Sequence, residues 1–412
     1  MKKGNKLLRI CIISRRFQIL SRSTEHGFIW SIAKGLAGLG HQVTVISYSS
    51  SMNQFKIERD QVSAYFLNDE GSKYKRTSFE ESAYQHFLEL HNQHPFDLVH
   101  SLDSSGSKIA KNKRALKVAF AYDVEATQMS QLFAILGMRQ ETVGGLLTTA
   151  FALVYKFLTT YFGSDRELLK YADGIFVTHP QQRVILERYY LYPDYHIYSV
   201  PYGIEVGDLT PKEKSIELKR NLNLPENSHI AVTLSDMTEF IEVKNILSAF
   251  EKVATKKPNA YLIIIGNGPL LPKIEYLILS LALGNRVILT KALKNNELLD
   301  YIVVSDTYVN LSSRTTGFEP TQIEAMAQKK VIIGSEVSPI SNVVEDGVDG
   351  FLIRPADTES LANLLIEIFS GTLPTDEIGE KARQKVLEMF DTQKMILTVN
   401  SSYQKIIQNK RL

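Results

Sequence analysis

The chain is expected to fold as an α/β protein of two domains, each a mostly parallel sheet covered by helices. Three observations lead there. Short, nearly continuous apolar runs at 8–13, 42–47, 97–101, 117–123 and 174–178, and again at 230–234, 261–265, 286–289, 307–311 and 331–334, alternate with stretches of helical spacing. That is how parallel strands buried on both faces read. At 412 residues the chain is long enough for two cores, and 44% hydrophobic with 22% charged residues suits a folded protein. In both halves the apolar runs end in polar residues or glycine, at the edge where open α/β sheets bind ligands.

Composition excludes several classes. A formal net charge of +2 gives no bulk reason to expect nucleic acid. Cys11 is the single cysteine and falls in a predicted buried strand, so neither a disulfide framework nor a cysteine metal site is available; this suits a reducing, cytoplasmic setting. The start is basic and 7–13 apolar, but Arg9 interrupts that run and Arg15-Arg16 follow it, which favours a first strand over a leader. No Asp-x-Asp pair follows a strand and no histidine cluster has ligand spacing, so no metal is expected. No repeat or low-complexity tract is evident.

Taken in order, strand 8–13 leads through a polar loop ending in His26-Gly27 to a helix at 28–39, spaced by Phe28, Ile32, Leu36 and Leu39 and closed by Gly40. Strand 42–47 completes a βαβ unit. The strands at 97–101 and 117–123 follow, the second ending in Tyr122-Asp123, where Asp123 fits either a helix N-cap or a group that orients a bound hydroxyl. Residues 129–163 are the most apolar region. Val143, Leu147, Phe151, Val154, Leu158 and Phe162 form one helical stripe, while Lys156 and several threonines argue against a bilayer span. A helix lying on a membrane surface and a core or interdomain helix both fit. Strand 174–178 closes the first domain, and the hinge falls at 203–204.

In the second half, strand 230–234 runs into a loop, 235–242, without arginine, and then to Lys244-Asn245 at the start of a helix. Strand 261–265 enters the turn Gly266-Asn267-Gly268-Pro269; strand 286–289 leads to Leu293; helices are expected at 382–390 and 394–407. Strand 307–311 delivers the chain into Ser312-Ser313-Arg314-Thr315-Thr316-Gly317-Phe318-Glu319-Pro320-Thr321-Gln322-Ile323-Glu324-Ala325-Met326-Ala327. This reads as a glycine turn and a helix opened by Pro320, whose missing N–H would be unsatisfied there anyway. Such a helix start offers N–H groups and a positive dipole end to an anion. One turn inside, the Glu324 carboxylate is suited to accept two hydrogen bonds from a vicinal diol.

This stretch, with the run from Ile340 to Asp357 after it, resembles the family-4 retaining glycosyltransferases of the GT-B fold, whose signature pairs two glutamates around a Gly-Phe-Gly turn followed by Glu-Ala-Met-Ala. The resemblance implies two Rossmann-like domains facing across a cleft: an acceptor-binding domain at 1–203, a nucleotide-sugar-binding domain at 204–385, and a segment 386–412 crossing back to the first. It implies a UDP- or GDP-sugar donor, no cofactor, and transfer with retention of configuration. Donor-binding positions would be Gly266, Gly268, Leu293, Arg314, Thr316, Gly317, Phe318 and the ribose-binding Glu324. Lys244 would stabilise the leaving diphosphate, and Gly27 and Tyr122 would lie on the acceptor side.

Departures from the family are specific. Thr316 stands where the first glutamate is usual, Glu319 replaces the second glycine, and Tyr122-Asp123 lies where many members carry a histidine. Glu319 and Asp123 are the candidates for the displaced catalytic roles, and Arg314 for the missing cation. If 129–163 lies on a membrane, the expected acceptor is lipid-linked and the protein attaches peripherally to the inner membrane. The rival reading is a degenerate glycosyltransferase-like protein acting as a non-catalytic partner.

Overall fold

A computed structural model of the chain describes residues 6–17, 27–50, 52–74, 78–124, 164–178, 180–201, 203–206, 209–290, 293, 295–312, 320–337 and 340–409. Its contacts divide the chain into two units, Met1–Gly203 with Thr392–Leu412, and Ile204–Asp391. The apolar segment 129–163, read above as a surface or core helix, lies outside the described residues. Among the described residues no helix is long and apolar enough to cross a membrane.

The first unit runs β1 (Arg9–Ile13), α1 (Gly27–Gly38), β2 (Gln42–Ser47), β3 (Lys56–Arg59), β4 (Val62–Phe66), α2 (Phe79–Gln93), β5 (Leu98–Ser101), α3 (Ser107–Leu116), β6 (Ala119–Asp123), α4 (Ser164–Tyr171), β7 (Gly174–Val177), α5 (Pro180–Tyr189) and β8 (Ile197–Ser199). The strands lie in the order β3-β4-β2-β1-β5-β6-β7-β8. All pair in parallel except β3, which forms an antiparallel edge hairpin with β4. Ile10, Cys11, Ile12 and Ile13 of the central β1 are fully buried, which is why the run is apolar without alternation. Lys56, Glu58 and Arg59 leave β3 exposed and charged, as suits a sheet edge. Between α3 and the start of β7, Lys113 pairs with the buried Asp173, which also accepts the Phe120 N–H at 2.9 Å.

The second unit runs α6 (Ile216–Asn221), β9 (His229–Leu234), α7 (Phe240–Lys256), β10 (Ala260–Ile265), α8 (Leu271–Ser280), β11 (Val287–Thr290), α9 (Asn295–Val304), β12 (Thr307–Asn310), α10 (Pro320–Ala327), β13 (Val331–Ser335), β14 (Phe351–Ile353), α11 (Thr358–Ser370) and α12 (Thr375–Met389). Its sheet is parallel in every pair, in the order β11-β10-β9-β12-β13-β14. Counted from β9 this is the 3-2-1-4-5-6 order of a Rossmann fold, with the reversal of direction between β9 and β12. Alternate strand residues feed two cores. Leu262, Ile264, Val309 and Ile333 pack with Val243, Leu247 and Phe250 of α7 and Ile274 of α8. Ile230, Val232, Ile263 and Tyr308 pack with Ile302 of α9 and Ile323 and Met326 of α10.

The last helix, α13 (Thr392–Gln408), completes the first unit. It meets α1 where Gly35 leaves no side chain: a Cβ there would lie 2.1 Å from Ile396 Cδ1. Two histidines tie it further in. His41 accepts the Leu8 N–H through Nδ1 at 3.0 Å, which leaves Nε2 to donate to Asn400 Oδ1 at 2.9 Å. His100 Nδ1 lies 2.7 Å from the Tyr403 hydroxyl. The second-domain limit read at 385 falls inside α12, which packs on the second unit through Ala382 and Val386; the break comes after Asp391 instead.

Candidate functional site

The carboxyl edge of the second sheet is built from two interlocked loops. The chain leaving β10 turns at Gly266, whose φ of +132° is open to glycine and few other residues. A Cβ on Gly266 would stand 1.9 Å from Ser235 O, and one on Gly268 1.9 Å from Asp236 O. The glycine turn therefore rests directly on the peptides that follow β9. Leu270 N donates to Met237 O at 3.2 Å, Ser235 N to Ile265 O at 2.9 Å and Ser235 Oγ accepts the Met237 N–H at 3.1 Å. Met237 is fully buried at φ +52°, a left-handed conformation that a side chain adopts only when its surroundings hold it there. Nothing in the sequence singled Met237 out, because the strain arises from the neighbouring turn.

This interlock positions two helix starts. Glu239 at the head of α7 makes no side-chain cap, so the first N–H groups of that helix are left to other acceptors; at the head of α8, Leu271 N and Lys273 N donate to Gly268 O and Leu270 O at 3.1 and 3.0 Å, and Pro272 has no N–H. Lys244 is the fifth residue of α7 and is exposed; Asn245 beside it is tied to Pro355 O at 3.1 Å. Lys273, in the first turn of α8, lies over the Phe240 ring with Nζ 3.9 Å from its centroid. Sequence reading missed this contact, since it joins two loops brought together only by the fold. Leu293, half-buried, packs beside the α9 core.

Across the reversal point, α10 opens at Pro320, and all eight of its residues, Glu324 included, are buried. A polar chain supports it. Ser335 Oγ donates to Ser312 O, Ser312 N donates to Asn310 Oδ1 at 3.2 Å, and Asn310 Nδ2 donates to Gln322 Oε1 at 3.4 Å. Arg314, Thr316, Gly317, Phe318 and Glu319 lie outside the described residues.

Gly27, Tyr122 and Asp123 belong to the first unit. Gly27 opens α1. Tyr122 is half-buried against that unit's core, and Asp123 ends β6 at 3% exposure. Asp123 raises the Tyr403 hydroxyl further above its ordinary range, on top of the larger effect of burial, so its carboxylate sits near the buried His100–Tyr403 contact beneath α13.

Comparison with known proteins agrees with this geometry. The two units are Rossmann-like, and solved GT-B proteins share the whole architecture. Sucrose-phosphate synthase from Thermosynechococcus elongatus superposes with a TM-score of 0.76 at 18% identity, over 97% of this chain and 99% of that one. The Anabaena protein HepE, solved with UDP and glucose, gives 0.69 at 14% identity over 96% and 98%. The fold is thus GT-B. More narrowly, residues 214–385 match the family model for glycosyl transferases group 1, a match that takes in Lys244, the glycine turn and Glu324. Among curated proteins, the N-acetyl-alpha-D-glucosaminyl L-malate synthase of Bacillus anthracis is 26% identical over 200 residues, 48% of this chain and 51% of the relative. The chain spans about half the length of the curated relatives it matches.

Proposed function

We propose that the protein is a family-4 retaining glycosyltransferase of the hexosyltransferase type, moving a sugar from a UDP- or GDP-sugar to an acceptor hydroxyl. The observation that carries this reading is the carboxyl edge of the second sheet, where the uncapped start of α7 with Lys244 follows β9, a glycine turn follows β10, and the helix of the buried Glu324 follows β12. In this reading the Glu324 carboxylate accepts the two ribose hydroxyls, and the turn of Gly266 and Gly268 lets the nucleotide approach backbone. The bond from the anomeric carbon to the diphosphate oxygen breaks as the acceptor oxygen bonds to that carbon. Charge then accumulates on the diphosphate, and in this reading Lys244 and the N–H groups at the start of α7 stabilise it. The acceptor hydroxyl's proton leaves with the diphosphate or to water. The apolar segment 129–163 supports a lipid-linked acceptor and peripheral attachment to the inner membrane, with a cytoplasmic active site.

The test is a panel of UDP- and GDP-sugars offered to the purified protein, with binding and slow hydrolysis followed in parallel. One donor is expected to bind and turn over. Glu324→Gln keeps the size of the side chain and removes its charge; losing charge-assisted bonds of about 1.5–3 kcal/mol should weaken donor binding about 10- to 100-fold. Binding without turnover, with lipid extract supplied as acceptor, would overturn the catalytic reading in favour of a non-catalytic partner. Unchanged affinity in Glu324→Gln would remove the ribose role.

A further inference from the structure

The amino edge of the second sheet, at the other end of its strands from the glycine turn, gathers lysines that the donor reading does not use. β9, β12 and β13 are adjacent, and the residues immediately before them are Ser228, Asp306 and Lys330. Neighbouring strands run about 4.8 Å apart, and Thr307 pairs with Val331, so Asp306 and Lys330 enter the sheet side by side. Hydrogen bonds fix three ammonium groups along this edge. Lys330 Nζ donates to Val303 O at 2.6 Å and to Ser305 O at 2.9 Å. Lys214 pairs with Asp306 Oδ1, and the other oxygen of that carboxylate accepts the Ile230 N–H at 2.7 Å. Lys219, from α6, donates to Glu226 O at 2.8 Å and to Ser228 O at 3.1 Å.

Charge and hydrogen bonding are both left open here. Among the described residues Asp306 is the one carboxylate paired with any of the three ammonium groups, while Glu226 at the exposed rim is taken by Arg220 at 3.1 Å. The carbonyls around Lys330 lie at the end of α9, and a helix end carries only about half an elementary charge. The edge therefore stays positive. Burial, and after it the field of Lys214, lowers the Lys330 pKa to about 8 against the pull of Asp306, and the same two causes lower Lys219. An ammonium has three N–H groups, so Lys219 and Lys330, each with two carbonyl acceptors, keep one for a further acceptor. Ser228 Oγ, on the residue whose carbonyl holds Lys219, is buried with no partner at all. The cluster is open to solvent through the side chains of Lys214 and His229, 44% and 43% exposed.

We propose that this amino edge binds a tetrahedral oxyanion, as free phosphate or as the phosphate group of a small ester, held by Lys214, Lys219, Lys330 and the Ser228 hydroxyl. The anion's oxygens accept the spare N–H groups and the orphan hydroxyl, and its charge offsets the excess that Asp306 leaves. The site stands apart from the donor reading: β9 is six residues long, which puts its two ends about 20 Å apart.

The experiment is calorimetric titration of the full-length protein with inorganic phosphate and with glycerol 3-phosphate, at constant low ionic strength, for the unaltered chain, Lys214→Ala, Ser228→Ala, Asp306→Asn and Lys244→Ala. Phosphate is expected to bind saturably, and Lys214→Ala to weaken it about fivefold, the effect of one lost charge at low salt. Ser228→Ala should weaken it about threefold without lowering stability in urea, because a hydroxyl with no partner holds nothing in the fold together. Asp306→Asn should tighten it, since the opposing carboxylate is gone. An ester that binds as well as phosphate would identify the ligand as a phosphorylated small molecule, and phosphate binding alone would identify the free ion; either supports the site. Absence of saturable phosphate binding to the unaltered chain would overturn it. So would equal affinity in Lys214→Ala, Ser228→Ala and Asp306→Asn. Binding lost in Lys244→Ala but kept in Lys214→Ala would place the anion at the carboxyl edge, overturning this site and leaving the donor reading intact.

Discussion

Gly266→Ala is expected to destabilise the second unit by about 3 kcal/mol and to abolish donor binding under conditions where the unit remains folded. Two costs add. The φ of +132° lies outside the regions open to a residue with a Cβ, and the new methyl would stand 1.9 Å from Ser235 O. That oxygen cannot yield alone. The peptide just before it is fixed through Ser235 N to Ile265 O at 2.9 Å, and Gly266 N donates to Thr290 O at 3.3 Å, so the ends of β9, β10 and β11 would have to separate together. Overpacking of this kind costs about 1–3 kcal/mol and the forced backbone adds to it. Urea unfolding measures the stability loss, and titration with nucleoside diphosphate measures the site. A variant as stable as the parent would show that the two loops are not locked as described.

That interlock also marks how far the residues could be read in advance. The strands of both sheets were legible because buried parallel strands have no polar face to disguise them, as in Ile10 to Ile13 and Ala260 to Ile265. The hairpin of β3 and β4 was not, since an edge strand such as Lys56–Arg59, with three of four residues exposed, carries no apolar pattern to detect. The same distinction holds at the site. Lys244, the glycine turn and Glu324 stand in local motifs, so their positions could be named. Met237's strained backbone and the Lys273–Phe240 contact depend on loops separated by a whole crossover. For Asp123 the motif position was readable but its surroundings were not: the helix beneath which it lies is the last in the chain, and His100 and Tyr403 meet across 303 residues.

The same distant contact gives the first unit a measurable acid sensitivity. His100 is fully buried, and desolvation pushes its pKa down to about 3 from the ordinary value near 6.5. One ring nitrogen meets Tyr403, while Nε2 has no partner among the described residues, so protonating the folded ring would put a charge and a second N–H where no acceptor waits. Tyr403 is the titratable group that touches the ring, with Asp123 acting on its hydroxyl, and burial raises that hydroxyl well above its ordinary range, leaving it neutral throughout the acid limb. The sign follows from linkage. Because the folded pKa is depressed, His100's contribution is complete above about pH 6.5. It falls by about 1.4 kcal/mol for each pH unit below that, as the unfolded ring gains a proton that the folded one refuses, until the folded pKa is reached. Burial also lowers His86 and His91, so the parent's total slope exceeds this one share. His100→Gln keeps a hydrogen-bonding amide near Tyr403 and cannot titrate. Against the parent's stability at pH 7.5, it should lose about 2 kcal/mol less than the parent does by pH 5, read from urea unfolding across that range. Parallel curves for parent and variant would mean that His100 takes up its proton in the folded protein, and that the space beneath α13 admits more water than its packing indicates.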